Sequence, residues 1–387
     1  MIRYTALFIV ILQFVSCSSS SEEVIDRDQL TGDEDLIADP DIYKTDEGPD
    51  ADIDMTDGAF DEDDIETVDD SEPYDDDDPE NDDDTDNDAD IPETVFPECL
   101  SYKSPVSTAV LKDASLKEIS GIAVSYKNPG IIWVHNDSGG DAALFGIGFD
   151  GKIIAKLTLK DAVNTDWEAM SLSKCGADEC FYIGNFGDNS LNRDDYSIFV
   201  FNEPVISSTG QLVEIEVTDY TEYPFFFEDG HHNSEALAVN SDSTLYIFSK
   251  EISVTQVYFA PLLDPQNATE FKKIGQLDTG IEVPGYPAEA QPSLVTGADI
   301  NRNGTRLLLR TYGIYTTDND GIREFIFNKG FFEEIFVKTP VFVPEGKDMQ
   351  GEAISYNPFT GGYVHISEFY NKVVDFDPNI WVVDCQN

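Results

Sequence analysis

Short apolar runs built from Val, Ile, Phe, Tyr and Thr recur from residue 99 to residue 387, each broken by Asn, Asp, Gly or Pro. Runs of that length and composition predict β-strands separated by turns. No heptad and no long apolar stripe of 3.6-residue period interrupts them, so helices are not expected to build this part. The runs also repeat. Five segments alternate small residues with larger ones: Ser120-Gly121-Ile122-Ala123-Val124, Glu168-Ala169-Met170-Ser171-Leu172, Glu235-Ala236-Leu237-Ala238-Val239, Gly297-Ala298-Asp299-Ile300-Asn301 and Glu352-Ala353-Ile354-Ser355-Tyr356. They recur roughly every 50–65 residues, the mark of an internal structural repeat.

Each segment is followed by a polar turn and a strongly apolar strand, at 131–134, 181–183, 245–248, 306–309 and 362–366. A third strand is expected at 143–149, 196–201, 257–261, 322–327 and 381–384, and a fourth in the first four units at 153–159, 213–217, 270–277 and 331–337. Four antiparallel strands repeated about an axis is the plan of a β-propeller. The expected fold is therefore all-β: a propeller of five blades, with room for a sixth in 203–231 or 262–292. The fifth unit runs out of chain after its third strand. The segment 106–111, ahead of the first unit, can supply the missing outer strand and close the ring. A β-sandwich or two separate domains is the alternative arrangement of the same strands.

The first 98 residues follow other rules. Arg3 precedes an apolar run from Ala6 to Phe14. That run is too short to span a bilayer core of about 30 Å, which takes roughly 20 apolar residues, and it suits the h-region of a signal peptide. It ends in Phe14-Val15-Ser16-Cys17, which resembles the lipobox of bacterial lipoproteins. The resemblance implies a signal peptide over 1–16, a lipidated Cys17, and an extracytoplasmic protein held to the membrane through its lipid. Ser18 behind the Cys implies the outer membrane by the sorting rule of that family.

Residues 17–98 read as an acidic tether. Between 21 and 98 stand about 36 Asp and Glu against Arg27 and Lys44. So little apolar surface cannot offset chain entropy, and like charges extend the segment. It holds no Gly-and-distal-Glu spacing of an EF-hand loop. The whole chain carries −54; the tether supplies −34, Arg3 +1, and residues 99–387 −21, from 41 acidic and 20 basic residues. A domain of that sign repels nucleic acid and anionic headgroups. Cationic ligands, metals or uncharged partners suit it better.

Four Cys lie beyond the lipobox. An even number in an exported domain predicts disulfides. Of three pairings, Cys175–Cys180 would bridge a turn and Cys99–Cys385 would tie the two ends where the ring must close. No Cys-x-x-Cys and no matching His spacing supports a metal cluster.

In a propeller the first strand of each blade lines the channel, and its start meets the end of the second strand on one rim. The repeat places Ser120, Glu168, Glu235, Asp299 and Glu352 in an inner ring. A second ring holds His135, Asn136 and Asp137; Asn185 and Asp188; Lys250; Arg310 and Tyr312; and Glu368. Converging carboxylates raise one another's pKa, and a hard cation removes that cost. Calcium takes six to eight oxygens from carboxylates, amide carbonyls and water. Glu168, Glu235, Asp299, Glu352, Asn136, Asn185 and Asp188 are the right ligand types. The same glutamates also admit a structural role, paired with Lys250 or Arg310.

The Glu-Ala strand starts, Trp133-Val134-His135-Asn136-Asp137-Ser138-Gly139 and Asp166-Trp167-Glu168 resemble the esterase-like phytase propellers and their uncharacterised relatives. More loosely, the acidic rim is similar to the calcium-dependent lactonase and paraoxonase propellers. The resemblance covers most of 115–385 and implies calcium on the axis, held by Glu168, Glu235, Asp299 and Glu352. It leaves two functions open. One is a module that binds a cell-surface protein, a glycan or a small ligand, with Tyr312, Tyr315, Phe369, Tyr370 and Trp167 exposed on the rim. The other is a calcium-dependent hydrolase of phosphoesters or other small anionic esters. There Arg310, Lys250 and Tyr312 would bind substrate and His135 would serve as general acid or base. No Gly-x-Ser-x-Gly elbow is present, so a covalent acyl-enzyme is not expected.

Overall fold

The computed structural model describes residues 95–207, 210–251, 254–279, 293–313, 321–347, 350–369 and 377–386. The expected signal peptide, Cys17 and nearly all of the tether lie outside these residues, as do Tyr315 and Tyr370. Among the described residues no helix is long and apolar enough to cross a membrane.

Among the described residues, twenty-one strands form five blades. The first strand, β1 (Val106–Val110), belongs to the last blade. Blade one is β2 (Ile119–Val124), β3 (Ile131–Asn136), β4 (Ala143–Gly148) and β5 (Ile153–Leu159). Blade two is β6 (Trp167–Cys175), β7 (Asp178–Asn185) and β8 (Ser197–Asn202), then, past β9 (Val213–Val217), β10 (Thr221–Phe227). Blade three is β11 (Ser234–Val239), β12 (Leu245–Ser249), β13 (Val254–Ala260) and β14 (Thr269–Asp278). Blade four is β15 (Ser293–Ile300), β16 (Arg306–Gly313), β17 (Gly321–Ile326) and β18 (Val341–Val343). Blade five is β19 (Gly351–Tyr356), β20 (Tyr363–Ser367) and β21 (Asn379–Val383), completed by β1, which pairs antiparallel with β21.

The innermost strands β2, β6, β11, β15 and β19 each neighbour the next, and β19 returns to β2. The ring thus closes with five blades. Of the stretches that offered room for a sixth, the described part of 203–231 holds β9 and β10 and the described part of 262–292 holds β14, all of them attached to existing blades, and 280–292 lie outside the described residues. The expected closure by 106–111 is the one observed, and Cys99–Cys385 bridges the same seam across 286 positions. Cys175–Cys180 clips the β6–β7 turn.

Packing explains the repeat. β2, β11 and β19 are buried along their whole length. Flanked by two other blades, they have room only for small side chains on the crowded face, hence Gly121, Ala123, Ala236, Ala238 and Ala353. The aromatic residues fill the wedges between blades. Trp133, Trp167, Phe181, Phe199 and Phe201 sit between blades one and two, and Phe186, Tyr196, Phe225, Tyr258 and Phe271 between two and three. Each such fully buried side chain contributes roughly 1.5–3 kcal/mol of transfer free energy.

Two outer strands differ from expectation. Residues 213–217 form a strand, but it pairs in parallel with β5 of blade one, its Val213, Ile215 and Val217 packed toward the core and Glu214 and Glu216 exposed. The fourth strand of blade two is β10, which pairs antiparallel with β8. Its Phe225–Phe227 also pair in parallel with β14, which joins blades two and three into one eight-stranded sheet. Residues 331–337 form a short 3-10 helix, Phe332–Phe336, and not a strand. Phe332 and Ile335, three apart, both turn inward, and Phe332 stacks on Tyr246 at 3.6 Å. The outer strand of blade four is β18.

Candidate functional site

Every innermost strand carries a bulge at the same place. Its register with the second strand slips between Ile119 and Gly121, Trp167 and Ala169, Ser234 and Ala236, Val295 and Gly297, and Gly351 and Ala353. A bulge re-aims the extra residue's side chain. The five extra residues are Ser120, Glu168, Glu235, Thr296 and Glu352. They form the lower ring of a channel mouth. In blade four the place belongs to Thr296, so Asp299 is not the counterpart of the three glutamates.

A second ring lies one residue beyond the partner of each pre-bulge residue: Asp137, Phe186, Lys250, Tyr312 and Glu368. Phe186 turns into the core, and the next residue, Gly187, packs so closely on Asp166 and Glu168 that a Cβ there would overlap both carboxylates. Glu118 and Asp166, from the chain entering blades one and two, complete the mouth.

Lys250 is the centre of this group. Its Nζ donates to Glu235 Oε1 in an ion pair whose side chains are 16 % and 5 % exposed. It also lies 5.3 Å from the centre of the Tyr312 ring. Burial works against the ammonium, but Glu235, Tyr312, Glu352 and Glu168 outweigh it and hold it charged. Burial raises the Glu168 carboxyl, reinforced by Glu235 and Asp166, and raises Glu352, reinforced by Glu235 and Glu368. In the upper ring, burial together with Asp137 and Glu235 pushes Glu368 up to about 8. Burial together with Glu118 and Asp166 pushes Asp137 up to about 7. At neutral pH the mouth therefore shares protons among crowded carboxylates.

The other two lower-ring residues are engaged between blades. Ser120 Oγ donates to Glu168 O at 2.7 Å, and Thr296 Oγ1 to Gly351 O at 2.6 Å.

The remaining expected site residues lie elsewhere. Asp299 accepts from Tyr356 N at 2.8 Å and Ser355 Oγ at 3.1 Å, toward the far end of β15, and burial pushes it up to about 7. Asp188 is spent on its own loop, accepting from Asn192 N, Arg193 N and Tyr196 Oη. Asn185 accepts from Asp166 N and donates to Ser197, and Asn136 donates to Ser115 O. Arg310 runs under blade five, its Nη1 donating to Ala353 O at 3.2 Å, with Gly351 packed on its guanidinium. His135 is fully buried against Trp167 and Gly121, its Nδ1 donates to Asn136 O, and burial lowers its pKa to about 4. Trp167, expected on the rim, is buried in the wedge between blades. Tyr312 and Phe369 are half-buried, the latter under the Lys117 ammonium.

The opposite end of the channel is covered. There Phe96 N donates to Asn303, and Glu98 accepts from Asn301, Asn303, Thr305 and Arg306. All four follow the end of β15, so the strap 95–98 crosses the face away from the glutamates.

Calcium is the cofactor that the family resemblance implies. Glu168, Glu235 and Glu352 offer the right donors, but the Lys250 ammonium already bonds one of them and faces the others. The two hydroxyl-bearing places of the ring are turned to backbone carbonyls. Among the described residues, no three His, Cys, Asp or Glu side chains are drawn together as ligands. As arranged, the donor set fits a resident ammonium and not a resident calcium ion.

No family model and no curated protein matches the sequence. Among solved structures, the chain is similar to a luciferin-regenerating enzyme, at 11 % identity and a TM-score of 0.39, covering 73 % of this chain and 95 % of that one. It is also similar to the β-propeller domain of Cps50 (Swd1) from Myceliophteria thermophila, at 11 % identity and a TM-score of 0.33, covering 68 % and 83 %.

Proposed function

We propose that this protein is a lipid-anchored, extracytoplasmic binding module whose acidic channel mouth receives the positively charged group of a ligand or partner protein. The observation that carries the proposal is the upper ring. Asp137 and Glu368, with Glu118 and Asp166, gather half-buried and exposed carboxylates above a buried ammonium, and the Lys250 charge that reaches Asp166 and Glu368 is already bonded to Glu235. A cationic group entering there displaces shared protons and gains several charge-assisted hydrogen bonds. The anchor is Cys17 in the outer membrane, and the strap 95–98 that follows the tether is held on the face of the propeller away from the mouth. The hydrolase alternative asks for an exposed base and a cation free to meet phosphate. Nothing in the positions of His135 and Arg310 favours it.

The test is calorimetric titration of spermidine, a small organic polycation, into the full chain and into Asp137→Asn/Glu368→Gln at low ionic strength. The tether contributes the same heats to both, so their difference isolates the mouth. A saturable component present in the wild type and lost in the double variant is expected. Identical isotherms would overturn the proposal.

A further inference from the structure

The propellers that this sequence resembles imply a divalent metal on the axis, and here the axis is furnished differently. We propose that Lys250 is the resident cation of the channel: its ammonium, in place of a divalent metal, fills the axial position created by Glu168, Glu235 and Glu352.

The stem of Lys250 is set by the fold. It leaves the end of β12 directly after Ser249, and its own backbone N–H donates to Asn233 O at 2.8 Å. That pins the Cα at the upper ring and aims a four-carbon chain, whose apolar length tolerates burial, down onto Glu235. Glu235 is itself turned inward by the β11 bulge, so two independent backbone features bring acid and amine together. Tyr312, contributed by the next blade at the equivalent ring place, lies beside the ammonium and screens it from water.

The surroundings match a single positive charge and not a double one. A calcium ion asks for six to eight oxygens. Of the five ring positions, three bring carboxylates, one of them already bonded to the amine. The other two donate their hydroxyls to the carbonyls of Glu168 and Gly351, which stitches blade one to blade two and blade four to blade five. Ser120 Oγ also lies 3.2 Å from Glu168 Oε2, so the place beside that carboxylate is already taken by a hydroxyl. Lys250 then acts as a structural pin. It neutralises the most buried acid of the ring and holds the mouth open for the outer carboxylates, and the propeller needs no metal to fold.

This inference does not depend on the ligand reading above, because the test reads metal content and stability with no ligand added. The full-length protein is purified, its calcium is measured by elemental analysis, and its thermal midpoint is followed in chelator and in millimolar calcium. Lys250→Ala and Lys250→Arg are treated in parallel. The wild type is expected to carry no stoichiometric calcium and to melt at the same temperature in both solutions. Lys250→Ala takes the ammonium away from the buried Glu235, so its midpoint should fall by about 5–10 °C in chelator. Calcium should recover part of that loss by entering the vacated place. Lys250→Arg keeps the charge and should gain no calcium response; if Lys250→Ala fails to fold, the wild type and Lys250→Arg decide the question. A wild-type midpoint that drops in chelator and rises with stoichiometric calcium would overturn the proposal. So would a folded Lys250→Ala that calcium leaves unchanged.

Discussion

Removing the Cys99–Cys385 bridge by Cys99→Ser/Cys385→Ser should cost far more stability than removing Cys175–Cys180. The two bridges close loops of very different length, with partners 286 and 5 positions apart. In the chain-entropy account, the cost of closing a loop in the unfolded chain grows with the logarithm of its length. That gives about 5–6 kcal/mol for the long loop and about 2 kcal/mol for the short one at 25 °C. The long bridge also guards the seam where the two chain ends close the ring. β1 is held to β21 by four paired positions with a slip between Ser107 and Ala109, and without the bridge that outer strand can fray from one end. The readout is urea unfolding followed by the fluorescence of Trp133, Trp167 and Trp381, with the single-bridge variants compared in the same buffer. With a urea dependence of about 3 kcal/mol/M for a chain of this size, the long-bridge variant should unfold about 1 M earlier than the short-bridge variant. Equal midpoints would refute the reasoning, because they would mean that the seam is held by its strand pairing alone.

Other outcomes follow from single residues. Glu203, 1 % exposed, accepts from Trp133 Nε1 at 2.9 Å, from Lys127 N and Asn128 Nδ2, and from Ser125 Oγ. Glu203→Ala strands several buried donors and should cost about 3 kcal/mol in denaturant unfolding, with Glu203→Gln recovering part of it. His135 has a folded pKa of about 4, below its usual 6.5, so it takes up its proton first in the unfolded chain. Its contribution is fully present above pH 6.5 and is lost as pH falls toward 4, up to about 3 kcal/mol. The buried carboxylates act in the opposite sense, so the check is the difference in pH slope between the wild type and His135→Leu. In cells, Cys17→Ala should abolish incorporation of labelled palmitate and release the protein from the membrane fraction; unchanged labelling would remove the lipid anchor from the account.

The fold was legible because its strongest signals are local and repeated. The Glu-Ala strand starts mark crowded innermost strands, and each lies on the channel as expected. The closing strand at 106–111 was legible from a missing fourth strand at the other end of the chain. Outer strands were less legible because their partners are set by tertiary geometry. The Val-Ile alternation of 213–217 announces a strand but not whose edge it covers, and the strand that completes blade two is the later β10. The spacing of Phe332 and Ile335 would have pointed to a helical turn.

The candidate site was legible in composition and less so in register. Glu168, Glu235 and Glu352 converge, and the structural alternative that paired a strand-start glutamate with Lys250 is the contact observed. Asp299 was misplaced because Gly297-Ala298 was matched with the Glu-Ala pairs one residue out of step; the bulge shared by all five strands makes Gly297 the counterpart of Ala169, Ala236 and Ala353 and puts Thr296 in the ring. His135, Asn185 and Asp188 are residue types shared by ligand sites and by tight turns. Only the buried hydrogen bonds assign them to turns and core here. Asp166 and Glu118 were missed as members of the mouth because they precede the strands and carry no repeat signal of their own.

The most direct test of the axial arrangement is a crystal structure of the wild-type protein grown in calcium, with anomalous data collected at long wavelength. The account predicts an ordered Lys250 side chain with Nζ within hydrogen-bond distance of Glu235 and no anomalous peak on the axis, with any calcium confined to the outer carboxylates. An anomalous calcium peak bound jointly by Glu168, Glu235 and Glu352, with Lys250 turned away, would contradict it.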